Sequence, residues 1–590
     1  MKLPNKCLGG GLRKVLVSVL LILTISANVI AEKNSKSPAK VIKAMPYTKG
    51  LNLSEWLEVG GFGNIRKCIY GKQDFENIKS LGVEIIRVPI WFEEFSSGEP
   101  EYIVEDWLWE TIDNAVKWCE EYQMYMIIDF HNNCSDGHPT KPDVEKMLVK
   151  IWKQIAERYK DKSEYVLYEI MNEPHLSSGN LEADIRKWGK IQGNVLKEIR
   201  NIDKKHTVIV GGEHSNGLEE MLKLPDYKDD NIIYNFHDYT PFLFTHQGAE
   251  WWNPMSYFKH VPFPYVKEKM PSVPENATDD AKWYYKNYEK DASEKNLVAP
   301  LDKAVEFANK RNAPLMCNEY GVMMDYADEL ERVNWYKMKS KWMKERNIIR
   351  ISWDYTGKFG IFNYSSNTGN PMKNLPQFPE DLNDDILNAM DLTPVKKDAK
   401  PKQKWFTLSK KKGSYDIYTD SFAQGIIFEG STTPWDTPRV DKTDSNGGEK
   451  YIWIEKLNQY NTLTFGFDEA VNFSDLINQN AVLEFEVRTN QTGHEFEAYF
   501  RDKFVSESDE NGFEWRSSKI FTAKDFLADG EWHKVRVPLK DFKPTGAWLT
   551  SKEKWVNDKG LFSWKKVDAL VFNFTKDIND GISIRNIRIR

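Results

Sequence analysis

Cysteine is scarce, five in 590 residues. With no CxxC pair, the chain has neither a disulfide framework nor a structural-zinc signature. No basic excess exists either. Lys and Arg number 81 against 88 Asp and Glu, a net charge of -7, which excludes nucleic acid as the partner because nothing neutralises phosphates. Only one apolar run, near the N-terminus, approaches span length, so a multi-span membrane protein is excluded. Tandem repeats, low-complexity tracts and a glycine-rich phosphate turn are all missing. What remains is ordinary core material, 41% hydrophobic, with an aromatic share of 13% that includes 21 Trp and 26 Tyr. Flat rings with a polar edge suit wet binding surfaces as well as cores.

The first residues read as an address. Lys2, Lys6, Arg13 and Lys14 precede the apolar run Val15 to Ile30, which closes on Val29-Ile30-Ala31. This is the layout of a secretory signal peptide over 1–31, predicting an extracellular or periplasmic protein with no membrane contact after cleavage; a retained anchor is the alternative. Cys7 lies on the wrong side of the run for a lipoprotein cysteine, and Cys68, Cys119, Cys134 and Cys317 are expected as buried free thiols. Residues 32–45, rich in Lys, Ser and Ala, read as a linker.

Two rhythms follow. From 46 to 365, short apolar runs alternate with helical patterns. The strand candidates are 50–52, 83–89, 125–129, 166–170, 207–210, 232–236, 314–317 and 348–353, with helices such as 107–122 and 144–159 between them. Nearly continuous apolar strands alternating with helices mean a parallel sheet covered on both faces. Eight units predict an α/β fold, a (β/α)8 TIM barrel. Residues 366–412, with Pro371, Pro376, Pro379, Pro394 and Pro401, form a boundary segment, part of which is free to pack on the barrel. From 413 to 590 the period becomes two: Leu483, Phe485 and Val487 alternate with Glu484, Glu486 and Arg488. This predicts an antiparallel β-sandwich, jelly-roll-like.

Barrel active sites lie at the C-terminal strand ends. Reading the polar residues there gives Arg87, His131, Asn172 with Glu173, His237 with Tyr239, Glu319 and Trp353. Two glutamates from different strands, among those partners, suit work on a glycosidic bond: one carboxyl protonates the leaving oxygen while the other meets the anomeric carbon. Either glutamate alone could be an ordinary ion-paired residue.

The motifs themselves resemble a family. Val166-Leu-Tyr-Glu-Ile-Met-Asn-Glu-Pro174 is similar to the signature of glycoside hydrolase family 5, the retaining cellulases and mannanases, and Asn318-Glu-Tyr-Gly321 resembles its nucleophile motif. The resemblance implies Glu173 as acid/base, Glu319 as nucleophile, Asn172 on the sugar 2-hydroxyl and Arg87 orienting the nucleophile. It also implies His131, His237 and Tyr239 lining the reacting subsite, with Trp353 as the sugar platform. Where many relatives have a second histidine, this chain has Asn132. Further substrate contacts are expected among Asn52, Trp56, Trp91, Asn132, His138, Trp251 and Trp252, with plain packing as the competing reading for several of them.

The sandwich resembles a carbohydrate-binding module, with Trp435, Tyr451, Trp453, Trp515, Trp548 and Trp555 as candidate stacking rings and a core role as the alternative. The expectation is a secreted, monomeric, retaining endo-β-1,4-glucanase acting on β-glucan, with no metal and no cofactor. An endo-β-1,4-mannanase or xyloglucanase with the same apparatus stays open, and a non-catalytic glycan-binding protein is a remote alternative.

Overall fold

The computed structural model describes residues 44–59, 64–65, 69–132, 134, 138–365, 376–397, 410–411, 414–423, 425–431, 438–445 and 447–590. The expected leader 1–31, Cys7, Cys68, Trp435 and most of both linker segments lie outside them.

Eight parallel strands close into a barrel: β1 (Lys49–Asn52), β2 (Ile85–Ile90), β3 (Tyr125–Phe130), β4 (Val166–Glu169), β5 (Thr207–Gly211), β6 (Ile232–His237), β7 (Leu315–Glu319) and β8 (Ile349–Ser352). Every residue of β2, β4, β7 and β8 is buried, because helices cover the outer face while side chains fill the inside. The helix Val144–Tyr159 shows how the cover is made. Val144, Met147, Leu148, Ile151, Trp152 and Ile155 recur every three or four residues and are buried, leaving the other face to charge.

Inside the barrel the strands divide by layer. Ile85, Ile127, Leu167, Ile209, Ile233 and Met316 pack together with Tyr47 as a separate apolar cluster. Side chains two residues apart on a strand share a face. One step on, the inward positions become Arg87, Asp129, Glu169, Gly211, Asn235 and Asn318, joined by Asn52 of β1. An apolar plug thus supports a polar floor at the C-terminal end.

The C-terminal domain is two antiparallel sheets, of seven and eight strands. Phe428, Phe465, Phe485, Phe496 and Phe572 meet between them in mostly edge-on or tilted ring contacts. Its eight-stranded sheet takes an edge strand from the barrel: Asn64–Ile65, in the segment after β1, pairs antiparallel with Ile426–Ser431. Ion pairs add to this seam. Glu105, buried at the start of the helix Asp106–Tyr122, lies 3.0 Å from Lys442 and 3.9 Å from Arg439. One turn along, Glu110 lies 3.0 Å from Lys450.

Part of the boundary segment belongs to the barrel's packing. Residues 376–397 include the helix Asp384–Ala389, and Asp391 binds Lys49 and Arg350, each at 2.6 Å. Cys119 and Cys317 are buried free thiols, while Cys134 is half-buried and also free. Among the described residues no helix is long and apolar enough to cross a membrane.

Candidate active site

Arg87 is the hub of the polar floor and is fully buried. Its Nη1 donates to Glu319 Oε1 at 2.7 Å and to Asn52 Oδ1 at 3.0 Å. Its Nη2 reaches Asn172 Oδ1 at 2.8 Å and Asp129 Oδ2 at 2.9 Å, and Nε donates to Glu169 Oε2 at 2.7 Å. One planar fork therefore orders three carboxylates, a task that lysine's single ammonium cannot perform.

Glu319 ends β7 and is 5% exposed. Tyr239 donates its hydroxyl to Oε2 at 3.0 Å, so both oxygens of Glu319 are fixed, one by Arg87 and one by Tyr239. Burial, the charge of Glu319 and this bond keep the tyrosine protonated, its pKa well above the ordinary value. Glu173 follows β4 in a left-handed conformation, φ 42°, and its side chain is 28% exposed, the most open group of the set. His237 bridges the two glutamates: Nδ1 lies 2.8 Å from Glu173 Oε1 and 3.5 Å from Glu319 Oε2. Burial opposes charge on His237, but Glu319 and Glu173 raise its pKa above the usual value. Burial likewise pushes Glu173 up, yet the His237 bond and the charges of His237 and Arg87 hold it below the ordinary carboxylate range.

His131 is a different histidine. Its Nδ1 bonds Asp129 at 2.7 Å, its ring stacks on Trp353 at 5.8 Å and 14°, and burial beside Arg87 lowers its pKa to about 4, so it is neutral. Trp353, half-buried, thereby presents a ring backed by an aromatic partner. Asn172 Nδ2 bonds the carbonyl of Asn132 at 3.3 Å, and Asn132 Nδ2 bonds Glu93 at 2.9 Å.

The eight principal residues thus converge on one floor. Among the secondary candidates Asn52 belongs to it through Arg87, and several others do not line it. Trp56 is 1% exposed, packed edge-on against Tyr70 and Phe75, so it is core rather than an outer subsite. Asn52 is fully buried and spends its side chain on Arg87, Asn318 and Ser352. Trp252 is half-buried among Phe242, His246 and Tyr284, and His246 in turn packs on Tyr239. Trp251 beside it is open, 61% exposed. Trp91 is half-buried against the core and His138 is exposed. In the sandwich, Trp515 is core, Tyr451 is covered by Arg488 and Trp532, Trp453 is half-buried, and Trp548 and Trp555 face each other across two strands with their rings exposed.

Asp129, Glu169 and Asn318 of the floor escaped the reading of strand ends, as did Asn235 beside Asn318 and Asn216 behind His237. Asn318 donates to Glu169 at 2.8 Å, and burial raises the pKa of Glu169 and takes that of Asp129 to about 7 despite Arg87. The first three were legible as polar residues two places beyond an inward isoleucine, leucine or methionine. Glu173, His237 and Glu319 each place one ligand atom within 4.8 Å of the others, so they could hold a cation; in this arrangement hydrogen bonds within the site occupy them.

Comparison with known proteins gives a consistent result. The family described as Cellulase (glycosyl hydrolase family 5) matches residues 49–359, and Carbohydrate binding domain 30 matches residues 407–590. Endoglucanase 3 of Fibrobacter succinogenes is 29% identical over 339 residues, 54% of this chain and 51% of its own, so the chain spans about half that relative's length. Endoglucanase C of Acetivibrio thermocellus is 30% identical over 334 residues, 54% of this chain and 94% of its own. The solved structure of endoglucanase Cel5A of Thermotoga maritima, 26% identical, covers 58% of this chain and 96% of its own with a TM-score of 0.44.

Proposed function

The chain belongs to glycosyl hydrolase family 5 and is a glycoside hydrolase; from that premise we propose that it is a secreted, retaining endo-β-1,4-glucanase in which Glu319 is the nucleophile and Glu173 the acid/base. The observation that carries the mechanism is the spacing of the two carboxylates. One oxygen of each lies within 4.8 Å of an oxygen of the other, a nearest-atom separation that supports the closer, retaining arrangement. Retention calls for carboxyl groups about 5–5.5 Å apart, inversion for about 6.5–9.5 Å to admit a water.

Arg87 and Tyr239 bind both oxygens of Glu319 and keep it aimed, so that an oxygen attacks the anomeric carbon without reorganising the floor. The departing oxygen takes a proton held across the Glu173–His237 bond, His237 being the group whose proton affinity the two glutamates raise. In the second half-reaction Glu173 takes a proton from water, which attacks the glycosyl-enzyme and frees Glu319. His131 stays neutral and, with Trp353, supplies a flat face for the sugar ring.

The names of the relatives support glucan as the substrate. The charged leader and apolar run support export. The test is product release from soluble β-1,4-glucan and β-1,4-mannan, with Glu319→Gln in parallel. Glucan hydrolysis with anomeric retention, lost in the variant, is the expected result. Mannan-only hydrolysis would overturn the substrate, and activity surviving in Glu319→Gln would overturn the mechanism.

A further inference from the structure

The helix Glu329–Glu345, which follows β7, buries a face that is not apolar. Arg332, Trp335, Tyr336 and Lys339 recur on it every three or four residues and are all buried. Two cations thus lie where a barrel helix ordinarily carries aliphatic side chains. The polar atoms of this face are spent on loops of the catalytic end. Arg332 donates to the carbonyl of Val322, after β7, at 3.1 Å and to those of Phe359 and Gly360, after β8, at 3.1 and 2.6 Å. Tyr336 meets the same two loops, donating to Phe359 and accepting from the Val322 N–H. Trp335 donates Nε1 to the carbonyl of Thr240, after β6, at 3.1 Å.

Lys339 completes the set. Its side chain is fully buried, with Nζ 2.5 Å from Asp238 Oδ2, 3.0 Å from Thr240 Oγ1 and 5.5 Å from the centre of the Trp335 ring. Carboxylate, hydroxyl and ring face take up the three donors of an ammonium that has lost its water.

Asp238 stands between the two residues that touch the glutamates. Successive side chains on extended backbone point to opposite sides: His237 and Tyr239 face the site, and Asp238 faces the helix. Asp238 Oδ1 accepts from the N–H and hydroxyl of Thr240 at 3.1 and 2.5 Å, closing the chain around Tyr239. The Asp238 N–H donates to the carbonyl of Glu319 at 3.0 Å. At this point the strand ladder slips: Phe236 pairs with Cys317 but His237 with Glu319, so β7 carries an extra residue, Asn318. Where the ladder is broken, the side-chain anchor behind Asp238 takes over its task of fixing the backbone.

We propose that Lys339 is a positioning residue for the reaction, setting through Asp238 the depth at which Tyr239 and His237 meet Glu319 and Glu173. The proposal rests on the retaining mechanism above. Replacing both members of a buried ion pair by neutral groups is often harmless to stability, so positioning and folding can be separated.

The test uses the full chain and 2-deoxy-2-fluoro-β-cellobiosyl fluoride. A Glu319 oxygen bonds its anomeric carbon while fluoride leaves with the bonding pair, so labelling reads the aim of the nucleophile without help from an acid. The double variant Lys339→Met, Asp238→Asn keeps an acceptor for Thr240 and removes both charges. It should label about ten-fold more slowly at saturation, the order of one hydrogen bond, with an unchanged half-saturation concentration and a denaturation midpoint close to that of the wild type. Trp335→Phe, which loses only the bond to Thr240, should label a few-fold more slowly. Lys341→Met, at an exposed position of the same helix, should change nothing. Wild-type labelling in the double variant overturns the proposal. So does a loss confined to half-saturation, which would make the pair part of sugar binding, and so does a double variant that cannot fold, which would make it a requirement of the fold. A wild type that is not labelled at Glu319, read by peptide mass, marks failure of the mechanism itself and removes the proposal with it.

Discussion

Asn216 meets His237 on the side away from the glutamates, its amide nitrogen 3.2 Å from Nε2. The contact fixes the ring with Nδ1 aimed at Glu173. Asn216 is fully buried, and it presses so closely on Gly211 that a β-carbon there would lie 2.3 Å from its amide oxygen. The orientation of the bridging histidine is thus set by a residue standing behind it. Asn216→Ala should lower kcat about ten-fold, the order expected for one hydrogen bond, with KM nearly constant. The check is the pH profile: the basic limb should shift in Asn216→Ala, whereas general loosening would scale the curve without moving it.

His237→Asn removes the bond that holds Glu173 below its ordinary range. Burial, no longer opposed by that bond, then raises the carboxyl. In the wild type the proton-carrying pair loses its proton at the raised pKa of His237, and in the variant at that of a lone buried glutamate. The basic limb of kcat/KM should therefore move to lower pH. An unmoved limb would show that His237 takes no part in the titration.

Glu173→Gln and Glu319→Gln should separate by leaving group. A phenolic leaving group with a low pKa needs no protonation, so Glu173→Gln should retain glycosylation of aryl glycosides while losing the polymer. Glu319→Gln should lose both. Rates on the two substrate types decide it.

Arg87→Lys should be costly to stability as well as activity. Asp129, Glu169 and Glu319 all lean on the guanidinium within 2.7–2.9 Å, and breaking a buried pair costs about 3–5 kcal/mol. Chemical denaturation should show a loss of that order, and a variant of wild-type stability would contradict the hub.

Buried Asp354, the residue after Trp353, supplies a stability test, its carboxyl pushed up to about 7 by burial. A raised carboxyl contributes stability fully present below its unfolded pKa and lost as pH rises through the folded one. Stability should fall from pH 4 to 7 with a share of slope from this group of up to about 1.4 kcal/mol per pH unit. Asp354→Asn should flatten that share; denaturation at pH 4.5 and 7 measures it.

The barrel was legible because its strands are buried on both sides and so read as continuous apolar runs, and seven of the eight principal site residues because each ends or follows such a run, Arg87 standing within β2. Asp129 and Glu169 were hidden by the same rule. Asp129 stands one place before the end of β3 and Glu169 closes β4, both in apolar runs that made them look like interior, and only the closed barrel shows that one step beyond Ile127 or Leu167 the inside turns polar. Asn216 carried no signal, since it lies in a short irregular turn whose relation to His237 depends on β5 and β6 standing side by side. Trp56 and Trp453 look alike in sequence, yet one is core and the other lines a groove; tryptophan's size suits both.

The strand Asn64–Ile65 binds partners some 360 residues further along, at Phe428 and Glu429. A ribosome releases the N-terminal domain first, so the barrel closes while this segment still lacks its backbone partners. It gains them only when the final domain emerges and its sheet forms. A barrel cut free of its sandwich would therefore carry an unfinished rim, with Asn64 and Ile65 lacking the backbone partners they have here.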